Sequence, residues 1–229
     1  MQSMKLSLIV LMVFGLANIG ISQTLLQGSN NFTTEKSVFI SLKDGSQLET
    51  FASHIEKKDG IIKSITIKDS KGADRIYRPH EISNIYIAVN DRLNNKLDGA
   101  DWDSKDFKKH LIAEAYVYFE LANVEMRGKT RPMLLQLLNP SFSSKIKIYL
   151  NPWLTDDLVA INNSNNKEAF AVSSYYVKDG NFPAFKLDGS AYSDNFIALF
   201  GECENMIPKK QIAQWSNFGQ DVFEYNRCK

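Results

Sequence analysis

Between residues 37 and 89 short runs of alternating apolar and polar residues are broken by turn-forming residues. This pattern constrains the fold more than any other feature of the chain. In Ser37-Val38-Phe39-Ile40-Ser41-Leu42-Lys43 apolar and polar residues take turns, and Asp44-Gly45 follows at once. An Asp-Gly pair tolerates positive φ, so a two-residue hairpin turn is expected there, with Leu48 to Ile55 returning. Ile61-Ile62-Lys63-Ser64-Ile65-Thr66-Ile67-Lys68 is β-branched and alternating, the strongest strand signal in the chain. Asp69 to Asp74 reads as a turn, Arg75 to Arg78 as a short strand, and Ile85 to Val89 as another beyond Pro79. The expectation is a β-meander over 37–89.

The pattern breaks at 90–110 (NDRLNNKLDGADWDSKDFKKH), which is charged, Asn-rich and poor in apolar anchors. It reads as a linker or long surface loop with room for a short helix. From 111 the chain is strand-like again. LIAEAYVYFELANVEM reads as one or two strands, with a turn at Gly128 to Arg131. Met133 to Leu138, Lys145 to Leu150, Ala169 to Lys178 and Pro183 to Leu187 follow as strands. The period then changes. Phe196, Leu199 and Phe200 stand at helical spacing, with Ser193 or Asp194 as cap and Gly201 at the end. Pro208 permits a new first turn. Ile212 and Trp215 share a face, and Val222 and Tyr225 continue in a last helix after Gly219. The fold class expected is α+β, mainly β: an N-terminal β-meander, a second antiparallel β region over 111–229 and a helical C-terminal tail.

The N-terminus carries an export signal. Lys5 precedes an uncharged run from Leu6 to Ile21, and Gly20 and Ser22 sit at −3 and −1 of a cut before Gln23. The run is shorter than the ~20 apolar residues of a spanning helix, so residues 1–22 are read as a cleaved signal peptide; if retained, they would anchor the chain. No Cys follows the run to take a lipid. Residues 23–36 lack a period and read as a flexible lead-in. Asn31-Phe32-Thr33 and Asn162-Asn163-Ser164 match the glycosylation sequon, which matters only in a eukaryotic secretory route. The two cysteines, Cys203 and Cys228, read in an exported chain as a disulfide stapling the C-terminal helices. The alternatives are two buried thiols or a metal site, the latter poorly supplied without nearby His.

The chemistry-bearing motifs are sparse. With 27 basic and 26 acidic residues the net charge is +1, so no global field attracts phosphate backbones and nucleic acid is not an expected partner. His54, His80 and His110 fall in no zinc-binding spacing. His80-Glu81 has the residue types of an acid–base pair, but adjacent residues on a strand point opposite ways. Gly189-Ser190 lacks the second glycine of a nucleophile elbow, and Gly128-Lys129-Thr130 lacks the earlier glycine that lets amides cradle a phosphate. Asp98, Asp101, Asp103 and Asp106 cluster as calcium ligands do, yet Lys105 and Asp106 stand where an EF-hand needs an oxygen ligand and a glycine. Tyr116, Tyr118, Phe119, Tyr175 and Tyr176 suit either a sugar- or peptide-binding face or cross-strand packing. No cofactor and no catalytic residue is assigned.

One resemblance rests on particular residues. A strand–Asp-Gly–strand opening (Leu42-Lys43-Asp44-Gly45) leads to Tyr77-Arg78-Pro79-His80-Glu81-Ile82. A Tyr175-Tyr176 strand, Cys203 and a closing Tyr225-Asn226-Arg227-Cys228 follow. In these the chain resembles a loose group of uncharacterised exported proteins of Bacteroidota. The resemblance implies an envelope or secreted location in a Gram-negative bacterium and brings no activity. The function expected is a non-catalytic envelope or secreted module that binds or scaffolds a protein or glycan. The competing expectation is a secreted hydrolase of polysaccharide or peptide whose site the sequence does not mark.

Overall fold

The computed structural model describes residues 25–69, 71–93, 107–154 and 173–228. The signal region, the Asp98–Asp106 cluster and the Asn162 sequon lie outside them. Seven strands form one antiparallel sheet: β1 (Ser37–Leu42), β2 (Gln47–Lys58), β3 (Ile61–Lys68), β4 (Asp74–Tyr77), β5 (Ile82–Ala88), β6 (Tyr116–Met126) and β7 (Lys129–Gln136). Their order is β4-β3-β2-β1-β5-β6-β7. The meander runs outward from β1, and β5 returns to pair with the other side of β1. The sheet rolls until β7 touches β3 and the turn Pro79–Glu81. Alternation dictates what the roll encloses: Val38, Ile40, Ile62, Ile65, Ile82, Ile85, Ile87, Val117 and Leu134 are buried together on one face.

A second antiparallel sheet has the order β10-β9-β8, from β8 (Ile146–Leu150), β9 (Ser174–Asp179) and β10 (Phe185–Asp188). Two bridges, Val124 to Ala184 and Leu137 to Tyr149, join it to the large sheet. Between the sheets lies a core of Tyr86, Tyr118, Ala122, Val124, Met133, Leu135, Tyr149 and Tyr176. The outward faces of β8 and β9 pack on the C-terminal helices, where Ile146, Ile148, Val177, Tyr192, Phe196, Phe200, Phe218, Val222 and Tyr225 are buried. Helix α1 spans Lys109–Ala113, α2 Tyr192–Phe200 and α3 Phe218–Arg227. The architecture is α+β and mainly β, as the periodicity implies.

Cys203 and Cys228 are joined in a disulfide with Cα atoms 6.0 Å apart, tying the turn after α2 to the end of α3. Among the described residues no helix is long and apolar enough to cross a membrane.

Several local expectations change. Asp44-Gly45 belongs to a three-residue loop, because Ser41 pairs Gln47 and the Leu42 amide bonds the Ser46 carbonyl. The Asp44 carboxylate accepts from the Ser46 amide at 2.9 Å and fixes that longer turn. True two-residue hairpins occur at Asp59-Gly60 and Arg127-Gly128, where all four residues have positive φ, as primed turns require. Helix α2 starts at Tyr192 after a 3-10 turn, Gly189–Ala191, so neither Ser193 nor Asp194 caps it. The residues around Pro208 form a 3-10 segment, Glu204–Ile212, with Pro208 inside it. Residues 111–113 belong to α1 rather than to a strand.

Two larger features of the chain's organisation follow from the pairing. The segment 90–110 joins neighbouring strands of one sheet, since β5 and β6 pair across it. The sheet boundary falls after β7 instead. The lead-in is not free from residue 25 onward. The Leu26 amide bonds the Leu138 carbonyl at 2.7 Å, Thr33 bonds Ala88 at 2.9 Å, and Phe32 bridges Val89. Ser29 is buried and donates to Asp91. This stretch is held at separated points, which leaves no period to detect.

Candidate functional site

On the face of the large sheet turned toward the second sheet, one row is polar across four strands. Strand register places Gln47 beside Ser41, Ser41 beside Asn84, and Asn84 beside Glu120. Four polar side chains therefore cross β2, β1, β5 and β6 in line on one face, at the ~4.8 Å interstrand spacing of a sheet. The next row on the same face is Glu49, Phe39, Tyr86 and Tyr118. The Tyr86 and Tyr118 rings lie 4.8 Å apart, and Phe107 meets Tyr118 edge-on at 4.8 Å.

The polar row floors a cleft of about 740 Å³, within the size range of small-ligand sites. Ser83, Ser143, Ser144 and Lys147 line its walls and Lys108 its rim. Glu120 and Lys147 meet here from the two sheets. The Lys147 ammonium donates to both carboxylate oxygens at 2.8 Å, and the Tyr149 hydroxyl donates to Oε1. Burial, reinforced by the Glu120 charge, pushes the Tyr149 hydroxyl far above its ordinary range, so it stays a protonated donor. Glu120 is thus held by three hydrogen bonds from two donors. It is the only carboxylate among the described residues lining the cleft, whereas the common glycosidase mechanism needs two carboxyl groups facing one another.

Glu120 is 14% and Lys147 31% exposed in their side chains, so removing one partner strands the other in a poorly solvated place. Lys147→Met is expected to lower stability by about 1–2 kcal/mol. The double variant Lys147→Met/Glu120→Leu recovers most of that loss, because no unpaired carboxylate remains. Urea unfolding of the three proteins checks this.

Strand β8, which brings Lys147, is positioned by two buried asparagines. The Asn139 side chain donates to the carbonyls of Phe142 and Ile146 and accepts from the Ile148 amide, all at 2.8–2.9 Å. Asn226 of α3 accepts from the amides of Lys145 at 2.7 Å and Ile146 at 3.1 Å, and donates to Val222 and Ile146. The Leu138 amide bonds the Ile148 carbonyl. Together they occupy the outer edge of β8. A second polar cluster lies in the helical layer, where Tyr192 donates to Asp221 at 2.6 Å and Lys209 bonds Glu224. Burial raises the Asp221 carboxyl, against the pull of Tyr192 and Lys209. This cluster faces core and joins α2 to α3.

The residues marked by sequence scatter. His54 on β2, His80 in the Pro79–Glu81 turn and His110 on α1 are exposed on three separate elements. Glu81 accepts from the Arg78 amide, closing that turn. Gly128-Lys129-Thr130 is the hairpin into β7. At Gly189 a Cβ would stand 2.9 Å from the Trp215 ring, so this glycine serves close packing. Of the aromatics, Tyr118 lines the cleft. Tyr116 packs on Phe39, Phe119 on Phe32, Tyr175 on Phe218, and Tyr176 on Trp153. Among the described residues no three His, Cys, Asp or Glu side chains gather as a metal site. Sequence reasoning missed Ser41, Gln47, Asn84, Glu120 and Lys147. The available signal was Asn84, which shares a β5 face with Tyr86 and Ala88.

Comparison with protein families, curated proteins and solved structures finds no match.

Proposed function

We propose that this chain is an exported, non-catalytic module of the cell envelope or extracellular space, and that it binds a protein or glycan partner through the cleft between its two sheets. The observation that carries the reading is the row Gln47–Ser41–Asn84–Glu120, four polar side chains in line across four strands, opening into a cleft. None of the four is buried, so their polar groups can meet something that enters the cleft. The pairing of Glu120 with Lys147 and Tyr149 supports binding over hydrolysis, because a general acid–base must exchange its proton with the substrate. The disulfide agrees with an oxidising compartment, and the N-terminal apolar run supplies the route.

Two measurements test this. The exported protein is expected to begin at Gln23 by N-terminal sequencing. A photo-crosslinking side chain at Ser144 in the cleft should capture an envelope component that the same group at Lys63 on β3 does not. Capture of the same material from both positions, or from neither, would remove the cleft from the proposal. Turnover of polysaccharide or peptide substrates would favour the hydrolase.

A further inference from the structure

The geometry points to a neutral oligosaccharide as the occupant of the cleft, recognised by the row Gln47, Ser41 and Asn84 with Ser83 and Ser143 beside it. This rests on the binding reading of the cleft and narrows its ligand. Three observations carry it.

The first is the donor and acceptor inventory. Among the described residues no hydrogen bond engages the side chains of Ser41, Gln47, Ser83, Asn84 or Ser143. Hydroxyls and amides offer both donors and acceptors without charge. A ligand that satisfies several such groups must itself carry many groups that donate and accept, closely spaced along its length. Sugar hydroxyls do so, and the row repeats at the interstrand spacing.

The second is charge. Glu120 and Lys147 neutralise one another, and the Lys108 ammonium lies over the Phe39 ring at 4.5 Å. Among the described residues the cleft therefore lacks the converging cations that a phosphate or carboxylate ligand requires.

The third is how little unpaired backbone the described residues leave along the cleft. Among the described residues β1, β5 and β6 each pair on both sides at the cleft, β2 pairs β3 only from Ala52 onward and leaves Gln47–Phe51 paired to β1 alone, and the outer edge of β8 is occupied by Asn139, Asn226 and Leu138. A peptide adding as a strand would find a ladder only at the short Gln47–Phe51 edge of β2. Elsewhere along the cleft recognition falls to side chains.

The test uses the full exported chain with its disulfide formed. Backbone amide NMR shifts are recorded against cellotetraose, maltotetraose and mannotetraose, against an acidic tetrasaccharide, and against a mixture of unstructured peptides. The expected result is saturable shifts at Ser41, Ser83, Asn84 and Ser143 with at least one neutral tetrasaccharide. Asn84→Ala and Ser41→Ala, both on partly exposed positions, should each weaken binding about tenfold, the equivalent of one lost ligand hydrogen bond. The wild-type shift map stands even if a variant folds poorly. Peptides or the acidic sugar shifting the cleft while neutral sugars do not would overturn the oligosaccharide and leave the binding module in place. No shift at the cleft with any probe, together with no selective capture from Ser144, would overturn both.

Discussion

Asn226→Ala is expected to cost about 2–4 kcal/mol of unfolding free energy, far more than the loss of a few side-chain atoms from an ordinary helix end. The reason is where the amide sits. Asn226 is buried, and its Oδ1 accepts the amides of both Lys145 and Ile146, at 2.7 and 3.1 Å. Nothing else among the described residues receives the Ile146 amide at that edge. Truncation leaves a buried donor with no acceptor, and the full desolvation cost of that group appears in the stability. Asn226→Asp separates hydrogen bonding from charge. It keeps one acceptor oxygen but turns the other toward the carbonyls of Val222 and Ile146, which now receive from Nδ2 at 2.8 and 3.4 Å. Burial and those carbonyls raise the introduced carboxyl above its unfolded value of about 3.9. Its contribution to stability is then fullest below that value and is lost as pH rises through the folded one. Relative to wild type, Asn226→Asp is thus expected to be milder at pH 3.5 than at pH 7 by urea unfolding. Equal penalties at both pH values would show that the site is solvated, and a cost under about 0.5 kcal/mol for Asn226→Ala would show that water replaces the amide.

That same asparagine shows what a sequence can and cannot disclose. In Tyr225-Asn226-Arg227-Cys228 the polar residue looks like a helix-end residue, and nothing local says that its partners lie 80 residues earlier. The strands were legible because alternation is local. Val38 and Ile40 fall on one face and Phe39 and Ser41 on the other without knowledge of any neighbour. The helices were legible for the same reason, from Phe196, Leu199 and Phe200. The order of strands was not, because β1 lies between β2 and β5 through pairings that only the folded chain makes. The polar row is a consequence of that order. Ser41, Asn84 and Glu120 are each unremarkable in sequence, and become a site only when three strands separated by dozens of residues are laid side by side. The Glu120–Lys147 pair is hidden in the same way, 27 residues apart and on different sheets. Turn length lies between these cases. Asp-Gly is compatible with two- and three-residue loops, and the Asp44 bond to Ser46 decides it.

Removing the disulfide is expected to lower stability by about 3 kcal/mol, the loop-closure value for a bridge spanning 25 residues. Cys203→Ala/Cys228→Ala should show this in denaturant, reductant should do the same to the wild type, and reductant should do nothing further to the double variant. The structure adds a second expectation, about where the loss is felt. Helix α3 is held on its inner side by Phe218, Val222 and Tyr225, all buried, so it remains docked when the bridge is cut. Its last turn is held differently, by Cys228 and by the Lys145 ammonium bonded to the Cys228 carbonyl at 2.6 Å. Asn226 lies two residues before Cys228. A frayed last turn moves the amide that closes the edge of β8, the strand carrying Lys147 into the cleft. Bridge and asparagine should therefore be coupled. In a double-mutant cycle Asn226→Ala costs less without the disulfide than with it, by about 1 kcal/mol, and hydrogen exchange at Ile146 rises on reduction before the amides of β5 respond. Strict additivity would mean that the bridge acts on the unfolded chain alone and that β8 keeps its clamp unaided. The expected coupling means that an oxidising compartment does more than stabilise the chain: it holds in place the edge on which one wall of the cleft depends.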